Sequence, residues 1–291
     1  MIGKALESLR QWKDNQARRR RLSQYHNSGR VPWSVGYQDY KFEQIAKELS
    51  SEDTLRAMLL GRLSEGYGLG LDERIVEYPW IFAQLPSDAR QLLDAGSTFN
   101  FDFVLDQKVL HNKKLTILTY APEYQNFNER KISYLYADLR DIPLRDAYFD
   151  VVVSQSTIEH IDMDNSIYGY DVQHQASRQE KSYEYLKAVA EMERVLKPGG
   201  MLLLTFPYGK FENHGFFQQL DAEMWDQIVQ LLHMKGEITN TFFRYHSSGW
   251  QFTEQDDCRA LVSHNPHTGT GKGEDGAAHC RSICAIKFVK R

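Results

Sequence analysis

The chain has 291 residues, a formal net charge of −4 and 25% charged residues. This length can bury a sizeable core, so we expect one large domain with insertions. The near-neutral charge balance gives no general attraction to nucleic acid, and no nucleic-acid partner is expected. No apolar run reaches the roughly 18 to 20 residues that a transmembrane helix needs, so no transmembrane segment is expected either.

Residues 1–22 have the pattern of a helix, with Ile2, Leu6, Leu9 and Trp12 on one face and a basic run at 18–21. Such a segment is suited either to peripheral contact with an anionic membrane or to packing as a solvated arm on its own domain or a neighbour. Residues 31–88 mix helical patterns with turns. We therefore expect residues 1–88 to form an N-terminal helical extension and cap, and residues 89–291 to form the main domain.

Short apolar runs alternate with helical patterns from residue 91 onward. Connections of 10 to 45 residues separate these runs, which is typical of a doubly wound, mostly parallel sheet with helices on both faces. The predicted parallel strands are Leu92–Ala95, Leu115–Leu118, Ile132–Ala137, Phe149–Ser154 and Met201–Phe206.

The clearest helix pattern covers residues 179–196 and ends at the sequence KPGG, because proline cannot continue a helix and glycine tolerates a left-handed turn. A second helix is predicted at residues 222–232. Runs at 241–246 and 283–289 predict two late antiparallel strands at the edge of the sheet. The α/β sheet would then contain seven strands.

Four stretches follow one another in a fixed order: LLDAGSTFN, ADLRDIPLRDAYFDVVVSQSTIEHI, YLKAVAEMERVLKPGG and MLLLTFP. Together they resemble the class I S-adenosylmethionine-dependent methyltransferases of the type 11-like group, over residues 92–207. The resemblance implies a Rossmann-like fold and S-adenosyl-L-methionine as cofactor. The glycine-rich motif after the first strand is degenerate.

The resemblance also implies a cofactor site at the carboxyl ends of the strands. Gly96 would let the methionine part of the cofactor approach the backbone, and Asp138 with Leu139 would contact the adenine. Arg74 is a candidate partner of the methionine carboxylate. The complete candidate set is Asp94, Gly96, Ser97, Thr119, Tyr120, Asp138, Leu139, Gln155, Ser156 and Arg74.

Two departures from the family pattern stand out. Thr98 and Asn100 occupy positions where the family has glycine, so the loop must differ in shape. Thr119 stands where the family has an acid that holds both ribose hydroxyls, and a neutral hydroxyl makes weaker hydrogen bonds than a carboxylate. We therefore expect weaker cofactor binding unless Tyr120 or Glu123 compensates.

A hydroxyl acceptor needs a general base, and histidine titrates near neutral pH. His160, His214 and His246 follow strands and are candidates; each could equally serve structure. We favour His214 narrowly, because the loop after the fifth strand faces the acceptor in this fold. The insert at 162–171, with three acids and two tyrosines, is interpreted as a solvated acceptor-binding loop, with a divalent-metal site as the weaker alternative.

The chain has three cysteines, all near the C-terminus, and no hydrophobic leader at its start, which is typical of a reducing, cytoplasmic location. Zinc ligation by the histidines and cysteines of residues 263–284 is a minor alternative. Because paired Cys-x-x-Cys spacing is missing, no metal site is expected.

The sequence thus predicts a methyltransferase that O-methylates a small or glycan-type hydroxyl acceptor. The alternative is a degenerate, non-catalytic binding or scaffolding protein with the same fold, which the altered glycine loop favours. A dinucleotide oxidoreductase is disfavoured because no Gly-x-Gly-x-x-Gly follows the first strand. The oligomeric state does not follow from the sequence.

Overall fold

The computed structural model describes residues 2–169 and 180–291. Within these ranges the α-helices are α1 (Ile2–Asn27), α2 (Tyr37–Leu49), α3 (Glu52–Leu59), α4 (Arg74–Gln84), α5 (Asp102–Leu105), α6 (Tyr185–Val195), α7 (Ala222–His233) and α8 (Gln255–Cys258). The strands are β1 (Gln91–Ala95), β2 (Lys114–Thr119), β3 (Ser133–Tyr136), β4 (Phe149–Gln155), β5 (Leu196–Pro207), β6 (Glu212–Asn213), β7 (Gln218–Gln219), β8 (Gly236–His246), β9 (Gly249–Thr253) and β10 (Ser282–Lys290).

In the described ranges the main sheet has eight strands in the order β3-β2-β1-β4-β5-β10-β8-β9. The first five strands are parallel, and β10 runs antiparallel to both β5 and β8. The doubly wound, mostly parallel Rossmann-like sheet with late antiparallel strands is therefore confirmed. The eighth strand, β9, was not predicted; a tight turn after His246 folds it back onto β8.

The sheet is buried on both faces, as a parallel sheet covered by helices should be. Successive residues of β4 point to opposite sides: Val151 and Val153 join one hydrophobic core, and Val152 joins the other. Helix α6 covers the second face with Val189 and Met192, as its sequence pattern predicts. The alternation along β4 thus divides the apolar residues between two cores.

The helices that precede β1 pack on the first face of the sheet. Ile75 and Ile81 of α4 share one core with Leu92 of β1 and with Tyr25 of α1. Residues before and after position 88 therefore bury their apolar side chains together. This shared core positions α4 beside the carboxyl ends of the strands.

Helix α1 is longer than predicted and reaches Asn27. Two of its arginines pair with α2, Arg18 with Glu43 at 2.8 Å and Arg21 with Asp39 at 2.6 Å. The side chains of Ile2, Leu6 and Leu9 lie outside the described part of the structure. Within the described residues, no helix combines the length and the apolar character that crossing a membrane requires.

Candidate functional site

Two adjoining cavities open at the carboxyl ends of the parallel strands, where the strand order reverses beside β1. The first, which we call the strand-end cleft, has a volume of about 290 Å³ and is lined by residues that follow β1 to β4. The second, which we call the aromatic cavity, has a volume of about 420 Å³ and includes six Trp, Tyr and Phe side chains in its wall. Arg74, Thr98, Ser156 and His160 line both cavities.

Asp94 organises the loop that follows β1. Its carboxylate accepts hydrogen bonds from the backbone N–H of Phe99 at 2.7 Å and of Thr98 at 3.2 Å, and from Thr98 Oγ1 at 3.1 Å. Burial raises the pKa of Asp94 to about 7, against the effect of these hydrogen bonds. Asp94 is fully buried and lines neither cavity, so it shapes the loop from behind.

Gly96 brings the backbone of this loop to the surface of the strand-end cleft. It has φ +130°, and a Cβ atom there would lie 2.1 Å from Thr157 Oγ1. The left-handed position next to it is Ser97, with φ +60°. The loop thus turns at Gly96 and Ser97 and does not need glycine at positions 98 and 100.

Glu123 supplies a carboxylate at the end of β2, where Thr119 replaces an acid. Its oxygens accept hydrogen bonds from Thr119 Oγ1 at 3.1 Å, from Ser97 Oγ at 2.7 Å and from Asn100 Nδ2 at 2.9 Å. Thr119, Tyr120 and Glu123 all line the strand-end cleft, whereas Ser97 lines the aromatic cavity. Asn100, at a position where glycine was expected, therefore ties the β1 loop to Glu123.

Asp138 and Leu139 line the strand-end cleft just after β3. Arg140 donates to both oxygens of Asp138, with its shortest contact at 2.7 Å from Nη2. Burial alone would raise the pKa of Asp138, but the hydrogen bonds from Arg140 lower it below its ordinary value. This carboxylate is therefore ionised and fixed in direction.

A buried carboxylate, Glu77 of α4, joins this helix to the ends of β4 and β5. It accepts hydrogen bonds from Ser156 Oγ at 2.5 Å, from Thr205 Oγ1 at 2.6 Å and from Arg74 Nη1 at 3.1 Å. Arg74 also donates to the backbone oxygen of Gln155. Arg74 and Ser156 consequently reach both cavities, whereas the Gln155 side chain is buried and lines neither.

The three predicted histidines occupy different places. His160 lines both cavities, and its Nδ1 lies 2.7 Å from the backbone oxygen of Phe216. Burial lowers the pKa of His160 to about 4. His246 ends β8 in a hairpin and lines neither cavity.

His214, the favoured candidate base, lies behind the wall of the aromatic cavity and lines neither of the two cavities. Its ring stacks on Phe217 with 4.3 Å between centroids, and only 2% of its side chain is exposed. Burial lowers the pKa of His214 to about 4. Phe216 and Phe217 line the cavity.

A histidine–carboxylate pair faces the aromatic cavity. His279 Nδ1 lies 3.0 Å from Glu73 Oε1, and both residues line the cavity wall. Although burial would raise it, the neighbouring His279 and Arg74 hold the pKa of Glu73 below its ordinary value. A hydrogen bond from Nδ1 to Glu73 leaves Nε2 as the ring nitrogen that a neutral imidazole uses as an acceptor.

Cys280 completes this cluster, with Sγ 3.1 Å from His279 Nδ1 and its backbone N–H donating to Glu73. The donor atoms of Glu73, His279 and Cys280 lie within 4.8 Å of one another, a spacing that a metal ion could bridge. The hydrogen bonds already account for the Glu73–His279 contact.

Tyr170 and Asp171 of the predicted acceptor loop lie outside the described residues; Asp162 accepts a hydrogen bond from Ser182.

Three residues that matter here were not predicted in these roles. Glu73 lies one residue before α4, and His279 lies three residues before β10. The two residues are 206 positions apart in the chain. Glu123 was mentioned only as a compensating group. The Glu73–His279 contact depends on tertiary structure, whereas Glu123 lies only four residues from Thr119.

The comparison with protein-family models gives one match, to a methyltransferase domain, over residues 116–204. No curated protein matches the sequence. The similar solved structures include a 1,6-didemethyltoxoflavin-N1-methyltransferase from Burkholderia thailandensis with bound S-adenosylhomocysteine. It has 11% identity and a TM-score of 0.40 over 69% of this chain and 71% of that one.

A second similar structure is an S-adenosylmethionine-dependent methyltransferase from Thermotoga maritima, with 15% identity and a TM-score of 0.43. The match covers 86% of this chain and all of the other.

Proposed function

This chain carries a class I S-adenosylmethionine-dependent methyltransferase domain, and we propose that it transfers the methyl group to a hydroxyl of a small acceptor. The observation that supports this reaction is the Glu73–His279 pair in a cavity that adjoins the strand-end cleft. A hydroxyl is a poor nucleophile until its proton is removed. A positioned base is therefore the feature that an O-methyltransferase needs.

The strand-end cleft fits the cofactor in its donor groups and its shape. Gly96 brings backbone to the cleft wall, where a side chain would collide with Thr157. Glu123 offers carboxylate oxygens of the kind that bind paired ribose hydroxyls, and Asp138 is an ionised acceptor of hydrogen bonds beside the apolar Leu139. Arg74 supplies a positive charge for the methionine carboxylate.

Bound S-adenosylmethionine supplies a methyl group on a sulfonium, so the new oxygen–carbon bond forms as the carbon–sulfur bond breaks. His279 Nε2 accepts the proton of the acceptor hydroxyl. Glu73 holds the ring in position and stabilises the positive charge that the proton brings. Phe216 and Phe217 exclude water from the acceptor.

His279 suits this role better than His160 or His214, because burial lowers the pKa of each of the latter to about 4. So low a pKa makes imidazole a weak base at neutral pH. His214 Nε2 lies 3.5 Å from Glu212 Oε2 and makes no hydrogen bond among the described residues.

The proposal is tested with labelled cofactor and a panel of hydroxylated acceptors. His279→Ala should lower turnover by about 10² to 10⁴ while the affinity for S-adenosylhomocysteine stays unchanged. His264→Ala, in the same segment but outside both cavities, is the matched control. Full turnover by His279→Ala contradicts the base, and loss of wild-type turnover with a zinc chelator assigns the cluster to a metal instead.

The alternative is a non-catalytic binding protein with the same fold, which the altered glycine loop favours. Titration calorimetry separates the two, because a catalytic protein must bind S-adenosylhomocysteine. Absence of binding by the folded wild-type chain would overturn the enzyme proposal.

A further inference from the structure

The aromatic cavity contains one buried acid with an unsatisfied oxygen. Glu159 follows β4 and is 2% exposed, and its Oε2 has no hydrogen-bond partner among the described residues. Burial raises the pKa of Glu159 well above its ordinary value, which favours the protonated carboxyl group. A protonated carboxyl can donate a hydrogen bond to a ligand oxygen.

The other charged groups of this cavity already have partners. Lys41 Nζ lies 2.7 Å from Asp72, and both side chains are almost fully buried. Arg74 pairs with Glu77 at 3.1 Å, and Glu73 pairs with His279. The charges of these side chains are therefore already compensated within the protein.

Two groups of aromatic rings form much of the wall. In one, Phe42 lies 5.3 Å from Phe101 between ring centroids, and Trp33 is a near neighbour through Lys41. In the other, Phe216 lies 4.8 Å from Phe217. The volume of about 420 Å³ is large enough for a flat molecule of one or two rings.

We infer that the acceptor is a hydroxylated aromatic ring with a second oxygen beside the reacting hydroxyl, and that Glu159 donates a hydrogen bond to that second oxygen. This inference rests on the proposed methyl transfer, in which His279 takes the proton of the reacting hydroxyl. Aromatic side chains stack on a planar ring at little cost in polar desolvation. Each sugar hydroxyl that was buried against these rings without a partner would cost binding free energy.

The test compares the binding of three probes by calorimetry, with and without S-adenosylhomocysteine: 2,3-dihydroxynaphthalene, 2-naphthol and methyl glucoside. The dihydroxy compound should bind about tenfold more tightly than 2-naphthol, the usual worth of one buried hydrogen bond, and the glucoside should not compete. The variant Glu159→Leu should remove this tenfold preference without weakening 2-naphthol. In Glu159→Gln, whose amide still donates, part of the preference should return.

The matched control is Glu184→Leu, whose carboxylate lies outside the cavity. Melting temperatures verify that each variant folds, and the wild-type preference between probes needs no variant at all. The inference is overturned if methyl glucoside is the only one of the three probes that binds. It is also overturned if Glu159→Leu keeps the tenfold preference for the dihydroxy compound over 2-naphthol. Failure of S-adenosylhomocysteine to bind overturns the proposed function instead, since the probes are also measured without it.

Discussion

Glu123 Oε1 accepts a hydrogen bond from Thr119 Oγ1 at 3.1 Å, so a carboxylate lies beside the end of β2. The other oxygen of Glu123 is held by Ser97 and Asn100 of the β1 loop. One acid thus links the two loops that border the strand-end cleft. Thr119 and Asn100, two positions where the sequence departs from the family pattern that it resembles, therefore meet at the same carboxylate.

Glu123→Gln should weaken S-adenosylhomocysteine binding about tenfold, because a charge-assisted hydrogen bond becomes a neutral one. Calorimetry with the ligand and its 3′-deoxyribose analogue measures the effect. The wild type should bind the analogue more weakly than S-adenosylhomocysteine. Glu123→Gln should bind the two ligands with nearly the same affinity. Glu129→Gln, on an exposed turn, is the control. If the wild type and Glu123→Gln lose affinity for the analogue equally, Glu123 does not contact the ribose.

Gly96→Val should abolish S-adenosylhomocysteine binding. The new Cβ would lie 2.1 Å from Thr157 Oγ1, and the φ of +130° is unsuited to any side chain. Gly199→Ala is the control, since that glycine also has a positive φ but has no atom within 4 Å of a Cβ. It should lose only about 1 kcal/mol of stability and bind normally. Normal binding by the valine variant would place the ligand elsewhere.

His214→Phe should reduce the pH dependence of stability. The pKa of His214 is about 4 when folded and about 6.5 when unfolded. The unfolded chain therefore takes up the proton first, and the stabilisation present above pH 6.5 is lost as the pH falls towards 4.

Urea denaturation of the wild type and His214→Phe at pH 7 and pH 5 measures this contribution. The phenylalanine keeps the stacking on Phe217, and the loss between these pH values should be about 2 kcal/mol smaller in the variant. Phe216→Leu removes a ring but no titrating group. It should therefore change the free energy of unfolding by the same amount at pH 7 and at pH 5. Identical pH dependence in His214→Phe and the wild type would contradict the prediction.

Lys41→Met should destabilise the protein by about 3 to 5 kcal/mol, because Asp72 would remain buried without its cation. The double variant Lys41→Met with Asp72→Asn should recover most of this loss, because both charges are gone. Chemical denaturation measures both. Lys187→Met is the control, because Lys187 is exposed and its partner Glu184 is only partly buried, and it should cost less than about 1 kcal/mol. A double variant as unstable as the single one would show that the charge is not the cause.

Sequence reasoning predicted the strands well because apolar runs and turn residues are local signals. The predicted strand at residues 149–154 and the observed β4 (Phe149–Gln155) differ by one residue. Helix α6 ends where KPGG predicts, at Val195, but begins at Tyr185, within the region predicted as helical from residue 179. Strand β9 is short and its sequence pattern is mixed, so its pairing with β8 is what identifies it as a strand.

The site was harder to predict, for a physical reason. Positions at strand ends, such as Gly96 and Asp138, follow directly from the order of the strands. Asp94 also lies at a strand end, but the loop folds over its carboxylate and so separates it from the cleft. The Glu73–His279 contact joins residues that are far apart in the chain. His214 was favoured on its position in the chain alone, and that position does not reveal that Phe217 stacks on its ring.

Strand β10 lies between β5 and β8, although it is the last strand of the chain. While the chain is being synthesised, the edges of β5 and β8 therefore stay unpaired until residues 282–290 leave the ribosome. Exposed strand edges of this kind pair readily with other chains. His279 is translated only three residues before this strand, so one short segment completes both the sheet and the proposed proton acceptor. A nascent chain stalled before this point would be prone to aggregate and could not yet perform the chemistry.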